Sequence, residues 1–259
     1  MTANVPELLV SVRNAAEAHA ALDGGCDVLD VKEPARGSLG MADSATIAEI
    51  VAQSRVSFAN VPVSVALGDA VEWTADRPVP RLPPGIAYLK LGTAGREDGT
   101  AWRRLFSDAR RHITSAMESN GTAAAESTTA VAGGFAPSWI AVAYADWQTA
   151  RGPAPEEVIA HALTCNCQGV LIDTFSKGRL RLLDWLDSSR LCSLAAQARA
   201  LGLTFALAGR LQRGDLPLVL AARPDIVGIR SAACRDGNRN SEIDGEAVRV
   251  FREALGVSR

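Results

Sequence analysis

Lysine is almost absent from this chain of 259 residues: of its 27 basic side chains only Lys32, Lys90 and Lys177 are lysines, and the others are arginine. Other scarcities remove whole classes of function. With a formal net charge of −2 there is no basic excess to neutralise a phosphate backbone or an acidic lipid surface, so neither nucleic acid nor membrane is expected as a partner. No apolar run approaches the roughly 18 residues that a membrane span needs. Met1 to Glu7 lacks the positive flank and apolar core of a signal peptide, which makes a cytoplasmic location the expectation. The 3 histidines, His19, His112 and His161, all fall inside helical patterns, which disfavours Ser-His-Asp chemistry and a His-rich metal site. The 5 cysteines are odd in number, as expected of thiols outside a disulfide framework. Cys165 and Cys167 form a CxC pair with no second ligand pair at zinc spacing, so no metal is expected. Aromatic residues make up only 5%, against 47% hydrophobic, so the core has to be built from small aliphatic side chains, as packed helix-on-sheet layers require.

The aliphatic runs are short and bounded by Gly, Asp or Pro. They predict strands at Leu8–Val12, Val28–Lys32, Val61–Leu67, Ala87–Leu91, Trp139–Ala143, Gly169–Asp173, Thr204–Ala208 and Ile226–Arg230. Between most of them apolar residues recur at helical spacing, as in Ala15 to Leu22, Ile47 to Val51, Val158 to Leu163, Leu191 to Leu201 and Leu216 to Ala221. Eight strands alternating with helices over this length predict an α/β fold, a single (β/α)8 TIM barrel over residues 1–259. An open doubly wound sheet is the alternative, and it lacks support because no GxGxxG opens the first strand-to-helix turn. Two segments break the rhythm. Pro78, Pro80, Pro83 and Pro84 crowd the stretch from Trp73 to Pro84, which predicts a loop where a third helix would lie. Glu118 to Pro137 is mostly Ala, Thr, Ser and Gly and reads as a flexible insertion at the non-catalytic end of the barrel.

The three lysines now acquire a common address. Lys32 closes the second strand, Lys90 lies near the end of the fourth, and Lys177 follows Asp173 at the end of the sixth. All map to the C-terminal face, where barrel enzymes build their sites. An amine can lose its proton, attack a carbonyl and form an electron-withdrawing iminium, which a guanidinium cannot. Clustered cations help lower the nucleophile's pKa, and Asp30, on the same side of its strand as Lys32, brings a carboxylate within reach of that amine. Asp173 stands in a similar relation to Lys177. Rigidifying ion pairs are the competing account of these residues, although arginine would serve that purpose equally well.

The loops after the seventh and eighth strands carry Gly209 and Arg210, then Gly228, Arg230 and Ser231. In barrels of this kind these two loops frequently hold a phosphate through backbone N–H groups, with glycine permitting close approach and arginine adding a fork of donors. Ser11, near the end of the first strand, is a further candidate phosphate contact, and Glu33 to Gly40 could close over a ligand. The expected substrate is a small phosphorylated aldehyde.

Ordered motifs run nearly end to end: Leu9-Val10-Ser11, Asp30-Val31-Lys32-x-Pro34 with Gly37-Ser38-Leu39-Gly40, Lys90-x-Gly92, Tyr144-Ala145-Asp146, Asp173-Thr174 with Lys177, Ala206 to Gly209, and Gly228-x-Arg230-x-Ala232-Ala233-Cys234 with Arg239. In these the chain resembles the (5-formylfuran-3-yl)methyl phosphate synthase family, which makes the furan precursor of methanofuran. The resemblance implies a lyase that joins two glyceraldehyde 3-phosphate molecules with loss of phosphate and water, needing no metal or organic cofactor. It places Lys32 as the Schiff-base lysine, with Lys90, Lys177, Asp30 and Asp173 in supporting acid–base and electrostatic roles. The insertion, Glu33 and Ser231 depart from the family pattern, and the last two bear on substrate preference. Another class I aldolase acting on a phosphorylated aldehyde and a non-catalytic phosphosugar-binding barrel are the competing readings. Symmetric self-association, common in such barrels, is the expected assembly.

Overall fold

A computed structural model describes residues 5–57, 61–96, 99–120, 136–176 and 178–256. The elements in chain order are β1 (Glu7–Val12), α1 (Ala15–Asp23), β2 (Val28–Val31), α2 (Ser44–Ser57), β3 (Val63–Asp69), β4 (Ile86–Gly92), α3 (Ala101–Ser119), β5 (Ser138–Tyr144), α4 (Trp147–Ala150), α5 (Pro155–His161), β6 (Gly169–Asp173), α6 (Leu182–Trp185), α7 (Ser188–Ala200), β7 (Thr204–Leu207), α8 (Leu216–Ala221), β8 (Ile226–Ile229) and α9 (Gly245–Ala254). Each strand pairs in parallel with the next, and β8 pairs with β1, so the sheet closes as an eight-stranded barrel. The open-sheet alternative is thereby excluded. No helix among the described residues is long and apolar enough to cross a membrane.

Strand alternation sorts the side chains into two cores. Leu8, Val10, Leu29, Val31, Val65, Leu89, Ala141, Ile172, Leu207 and Val227 face outward into the layer beneath the helices. Leu9, Val28, Ala66, Ile140, Val142, Leu171, Ala206 and Ile226 point inward and fill the barrel. The inward set ends, towards the C-terminal face, in polar residues: Ser11, Asp30, Ser64, Lys90 and Asp173 are all buried. Nothing in an apolar core calls for charge there, so this end is the candidate site.

Short polar residues start the helices as their chemistry dictates. Asn14 accepts from the Glu17 N–H at 2.9 Å to cap α1, Asp187 accepts from Arg190 N–H at 2.8 Å to cap α7, and Asp244 accepts from Glu246 N–H at 2.9 Å to cap α9. The proline-rich segment contains no α-helix. A short 3-10 turn at Ala70–Glu72 leads into a strap that runs to β4, pinned by buried Trp73. The Trp73 indole N–H donates to the Leu67 carbonyl at 2.8 Å, and the Arg77 guanidinium stacks 4.2 Å above its ring. Helix α3 continues to Ser119, so Glu118 and Ser119 are helical where a flexible insertion was expected. Its amphipathic pattern, with Trp102, Phe106, Ala109, Ile113 and Met117 buried, carries the helix past the compositional boundary. Most of the predicted insertion, residues 121–135, lies outside the described residues.

One buried ion pair locks the first helix to the last strand. Arg230, just past β8, donates to both Glu17 carboxylate oxygens, at 2.5 and 3.1 Å, and Arg13 donates to the same group at 2.6 and 2.9 Å. Burial alone pushes the Glu17 carboxyl up, but the hydrogen bonds from Arg230 and Arg13 outweigh it, and its pKa ends below the ordinary carboxylate value. Removing one partner of such a pair strands the other charge in low dielectric. Glu17→Ala is therefore expected to destabilise the barrel by about 3–5 kcal/mol, seen as a lowered urea midpoint with an unchanged slope. A midpoint equal to wild type would mean that the guanidinium finds other compensation.

Candidate active site

The C-terminal mouth of the barrel holds a cleft lined by side chains from several strand ends, among them Ser11, Asp30, Lys32, Lys90, Asp173, Arg210 and Arg239. Two of the three lysines meet there. Lys32 directly follows β2, where its backbone N–H still donates to the Val12 carbonyl at 3.1 Å, and only 8% of its surface is exposed. Lys90 projects inward from β4 and is 3% exposed. Lys177 lies outside the described residues.

Asp30 is not the direct partner of Lys32 that strand alternation suggests. Its Oδ1 sits 2.5 Å from Lys90 Nζ, and its Oδ2 accepts from the Ser11 hydroxyl at 2.9 Å. In a closed barrel, alternate strands supply side chains to shared interior layers, so a β2 carboxylate can reach across to β4. Between them β3 presents only Ser64 and Ala66, which leave the room. Ser11 was expected to contact phosphate, and its proton is instead committed to Asp30.

Burial is the largest influence on the Lys32 amine and lowers its pKa below the ordinary lysine value. Asp173 and then Asp30 oppose that shift, while Lys90 and Arg239 reinforce it. The net result is an amine whose pKa lies below that of a free lysine, in a cleft it shares with Lys90, Arg210 and Arg239. Asp173 is buried at the end of β6, and its Oδ1 accepts from the Thr174 N–H at 2.7 Å.

The glycine-bearing segments at β7 and β8 also line the cleft. Gly209 adopts a φ of +107°, and a Cβ there would stand 3.1 Å from Thr174 Cγ2, so the turn requires glycine. Gly228 faces inward, where a Cβ would press to 3.2 Å from the Ala208 methyl. Arg210 follows in the left-handed region, and its guanidinium donates to the Gly178 carbonyl. Ser231 opens the short turn Ser231–Ala233 at the cleft wall.

Arg230 requires correction. Read from the sequence as a phosphate fork, it has no N–H left to give: besides Glu17, it donates to the Ser11 carbonyl at 2.9 Å, to Arg239 O at 2.9 Å and to Ser241 O at 2.9 Å. It is a strut that fixes the segment after β8. The side chain which that strut presents to the cleft is Arg239, named in the sequence motif without a role.

Two further groups went unassigned at the sequence level. Asp146, fully buried after β5, accepts from the Phe175 N–H at 2.7 Å and the Ser176 N–H at 2.8 Å, anchoring the loop after β6. Ser38, in the Glu33 to Gly40 loop, donates to the Thr174 carbonyl at 2.8 Å, and Leu39 packs into the inner core, so this loop lies across the mouth. The motifs Tyr144-Ala145-Asp146 and Gly37-Ser38-Leu39-Gly40 contain them, but neither motif gave its residue a role. The three histidines sit on α1, α3 and α5, away from the mouth. Cys165 and Cys167 are buried thiols, and burial raises the Cys167 pKa to about 12.

Comparison with known proteins agrees with this architecture. The family model described as 4-HFC-P synthase matches residues 8–252. A (5-formylfuran-3-yl)methyl phosphate synthase from Methanopyrus kandleri is 33% identical over 252 residues, spanning 96% of this chain and 99% of that protein. A putative (5-formylfuran-3-yl)methyl phosphate synthase from Methylorubrum extorquens is 30% identical, spanning 96% and 92%. Among solved structures, 3-hexulose-6-phosphate synthase from Salmonella typhimurium superposes with a TM-score of 0.55 at 12% identity over 96% of this chain and 99% of that one, a likeness of fold. Matched along nearly its whole length, the chain belongs to the 4-HFC-P synthase family.

Proposed function

We propose that this protein condenses two molecules of glyceraldehyde 3-phosphate into (5-formylfuran-3-yl)methyl phosphate through a Schiff base on Lys32. The observation that carries this reading is a buried lysine whose pKa is lowered, set beside two carboxylates and a second lysine at the mouth of a barrel. An ammonium held only for structure has no reason to be desolvated beyond its compensation.

The steps follow from the groups present. The neutral Lys32 amine adds to the aldehyde carbon and water leaves, giving an iminium that acidifies the neighbouring C–H. Asp173, the strongest acidic influence on Lys32, takes that proton in this reading. The resulting enamine expels the phosphate carried on the next carbon, and the terminal carbon of the enol left behind attacks the C2 carbonyl of the second triose, which reacts as its keto tautomer. Hydrolysis of the iminium takes up one water, equal to the one released when it formed, and frees Lys32, and ring closure with loss of two waters gives the furan. The balance is two trioses in, and one furan aldehyde phosphate, one phosphate and two waters out. Cationic Lys90 and Arg239 offset the negative charge that develops as phosphate departs. Lys177 keeps the supporting role that the family resemblance gives it.

Incubation with glyceraldehyde 3-phosphate alone tests the reading: furan aldehyde absorbance and inorganic phosphate should appear together, and their absence would remove it. Borohydride trapping under the same conditions should leave a mass adduct on Lys32. Lys32→Arg should keep the fold and lower turnover at least about a thousandfold, because charge is retained and the nucleophile is not. Appreciable residual activity would assign the imine elsewhere.

Stability should also report the perturbed amine. Since the folded pKa lies below the ordinary value of 10.5, the unfolded chain binds a proton that the folded chain has released between those two values. The cost of burying the charge is therefore fully present at low pH and is relieved as pH rises to 10.5. Urea denaturation across that window should show wild-type stability climbing with pH and Lys32→Met lacking that climb. Parallel curves for the two proteins would contradict the lowered pKa.

A further inference from the structure

The cleft carries more positive charge than the protein itself balances. Its walls hold Lys32, Lys90, Arg210, Arg230 and Arg239 against Asp30 and Asp173, and among the described residues Arg230 alone has a further carboxylate, Glu17, paired to it from outside the cleft. Lys90 is matched by Asp30 at 2.5 Å. The cationic surplus sits on the side where the segments after β7 and β8 meet, and there the most informative side chain is Arg239.

Three features of Arg239 fit together. Its backbone is fixed, because the Arg230 Nε–H donates to the Arg239 carbonyl at 2.9 Å. One terminal nitrogen makes two long hydrogen bonds, each 3.3 Å, to the Pro34 and Gly37 carbonyls of the Glu33 to Gly40 loop. The Nε–H is buried and has no acceptor. A buried, unmatched donor on a charged group costs free energy unless something supplies an oxygen, and neutral carbonyls at 3.3 Å use little of what a guanidinium can give. Burial also lowers its pKa, with Asp173 opposing and Arg230 and Arg210 reinforcing the shift, as expected of a guanidinium crowded by like charge.

We infer that Arg239 binds a phosphate monoester of the substrate through its Nε edge while its terminal nitrogen holds the Glu33 to Gly40 loop, so that phosphate occupancy and loop position are coupled. This deepens the triose phosphate reading and rests on it for the identity of the ligand. The chemistry is that of a tetrahedral dianion: several oxygens, of which one satisfies the Nε–H and others can face Arg210 and the N–H groups beside Gly209. A carboxylate of the protein could do the first but not the rest, and no such carboxylate is offered to that nitrogen among the described residues.

Inorganic phosphate is the probe, titrated calorimetrically at low ionic strength into wild type, Arg239→Gln and Arg239→Lys. Wild type should bind. Arg239→Gln should bind about tenfold or more weakly, the loss expected for a charge-assisted contact, and Arg239→Lys should fall between, because it keeps the charge and loses the planar fork. Phosphate should slow amide exchange across residues 35–40 in wild type and leave it unchanged in Arg239→Gln. Equal phosphate affinity in all three proteins, no uptake by wild type, or protection of the loop in Arg239→Gln as in wild type would each overturn the inference. The titration does not depend on imine chemistry. Phosphate binding lost in Arg239→Gln, found alongside a wild type that gives no borohydride adduct on Lys32, would leave the anion site standing and remove the Schiff-base reading.

Discussion

The site depends on taking two amines out of water with unequal compensation. Lys32 and Lys90 are both buried at the mouth of a closed sheet, and Asp30, two residues before Lys32 on the same strand, is spent on Lys90 at 2.5 Å. Desolvation disfavours an ammonium by several kcal/mol, and only a close, hydrogen-bonded partner recovers that cost. Lys90 has a close ion-pair partner in Asp30, whose other oxygen accepts from the Ser11 hydroxyl at 2.9 Å. Lys32 feels Asp173 and Asp30 as fields that do not cancel its burial, so its pKa falls below the ordinary lysine value. The division of labour between two chemically identical side chains thus follows from which strand each occupies. The amine on β4 is locked in a pair, and the one after β2 is left poised.

Much of this was legible in the sequence, and the part that was not has a common cause. Every predicted strand is present with its boundaries moved by no more than two residues, because aliphatic runs bounded by Gly, Asp and Pro are local signals. The missing third helix was legible for the same reason, through four prolines in a short stretch. The scarcity of lysine located Lys32 and Lys90 at one mouth before any coordinates, since the end of each strand fixes which face of a barrel a residue joins. Partner choice was not legible. Alternation places Asp30 on the same side as Lys32, but closure of the sheet and the small β3 residues Ser64 and Ala66 let it reach Lys90 instead, and those are properties of the ring as a whole. Arg230 was misread likewise: its phosphate-loop position is local information, and Glu17, 213 residues away, is not.

The Arg230 correction explains how a site made of loops can hold its geometry. Loops are the mobile part of a barrel, and catalysis needs charges placed to within a fraction of an ångström. Here a buried carboxylate on α1 fixes Arg230, Arg230 fixes the backbone of the segment after β8 through the Arg239 and Ser241 carbonyls, and that segment presents Arg239 to the loop after β2. On the far side Asp146 fixes the loop after β6 by two backbone N–H groups, and the Thr174 carbonyl of that loop takes the Ser38 hydroxyl. The segment from Glu33 to Gly40 is therefore held from both sides by residues whose own positions are set by buried carboxylates. Lys32 lies directly at its root. Any force that moves this segment acts on the amine's burial, which is the largest single influence on its pKa. The position of the loop and the basicity of the lysine are for that reason linked, and the anchors of that link are Glu17 and Asp146 at the two sides of the mouth.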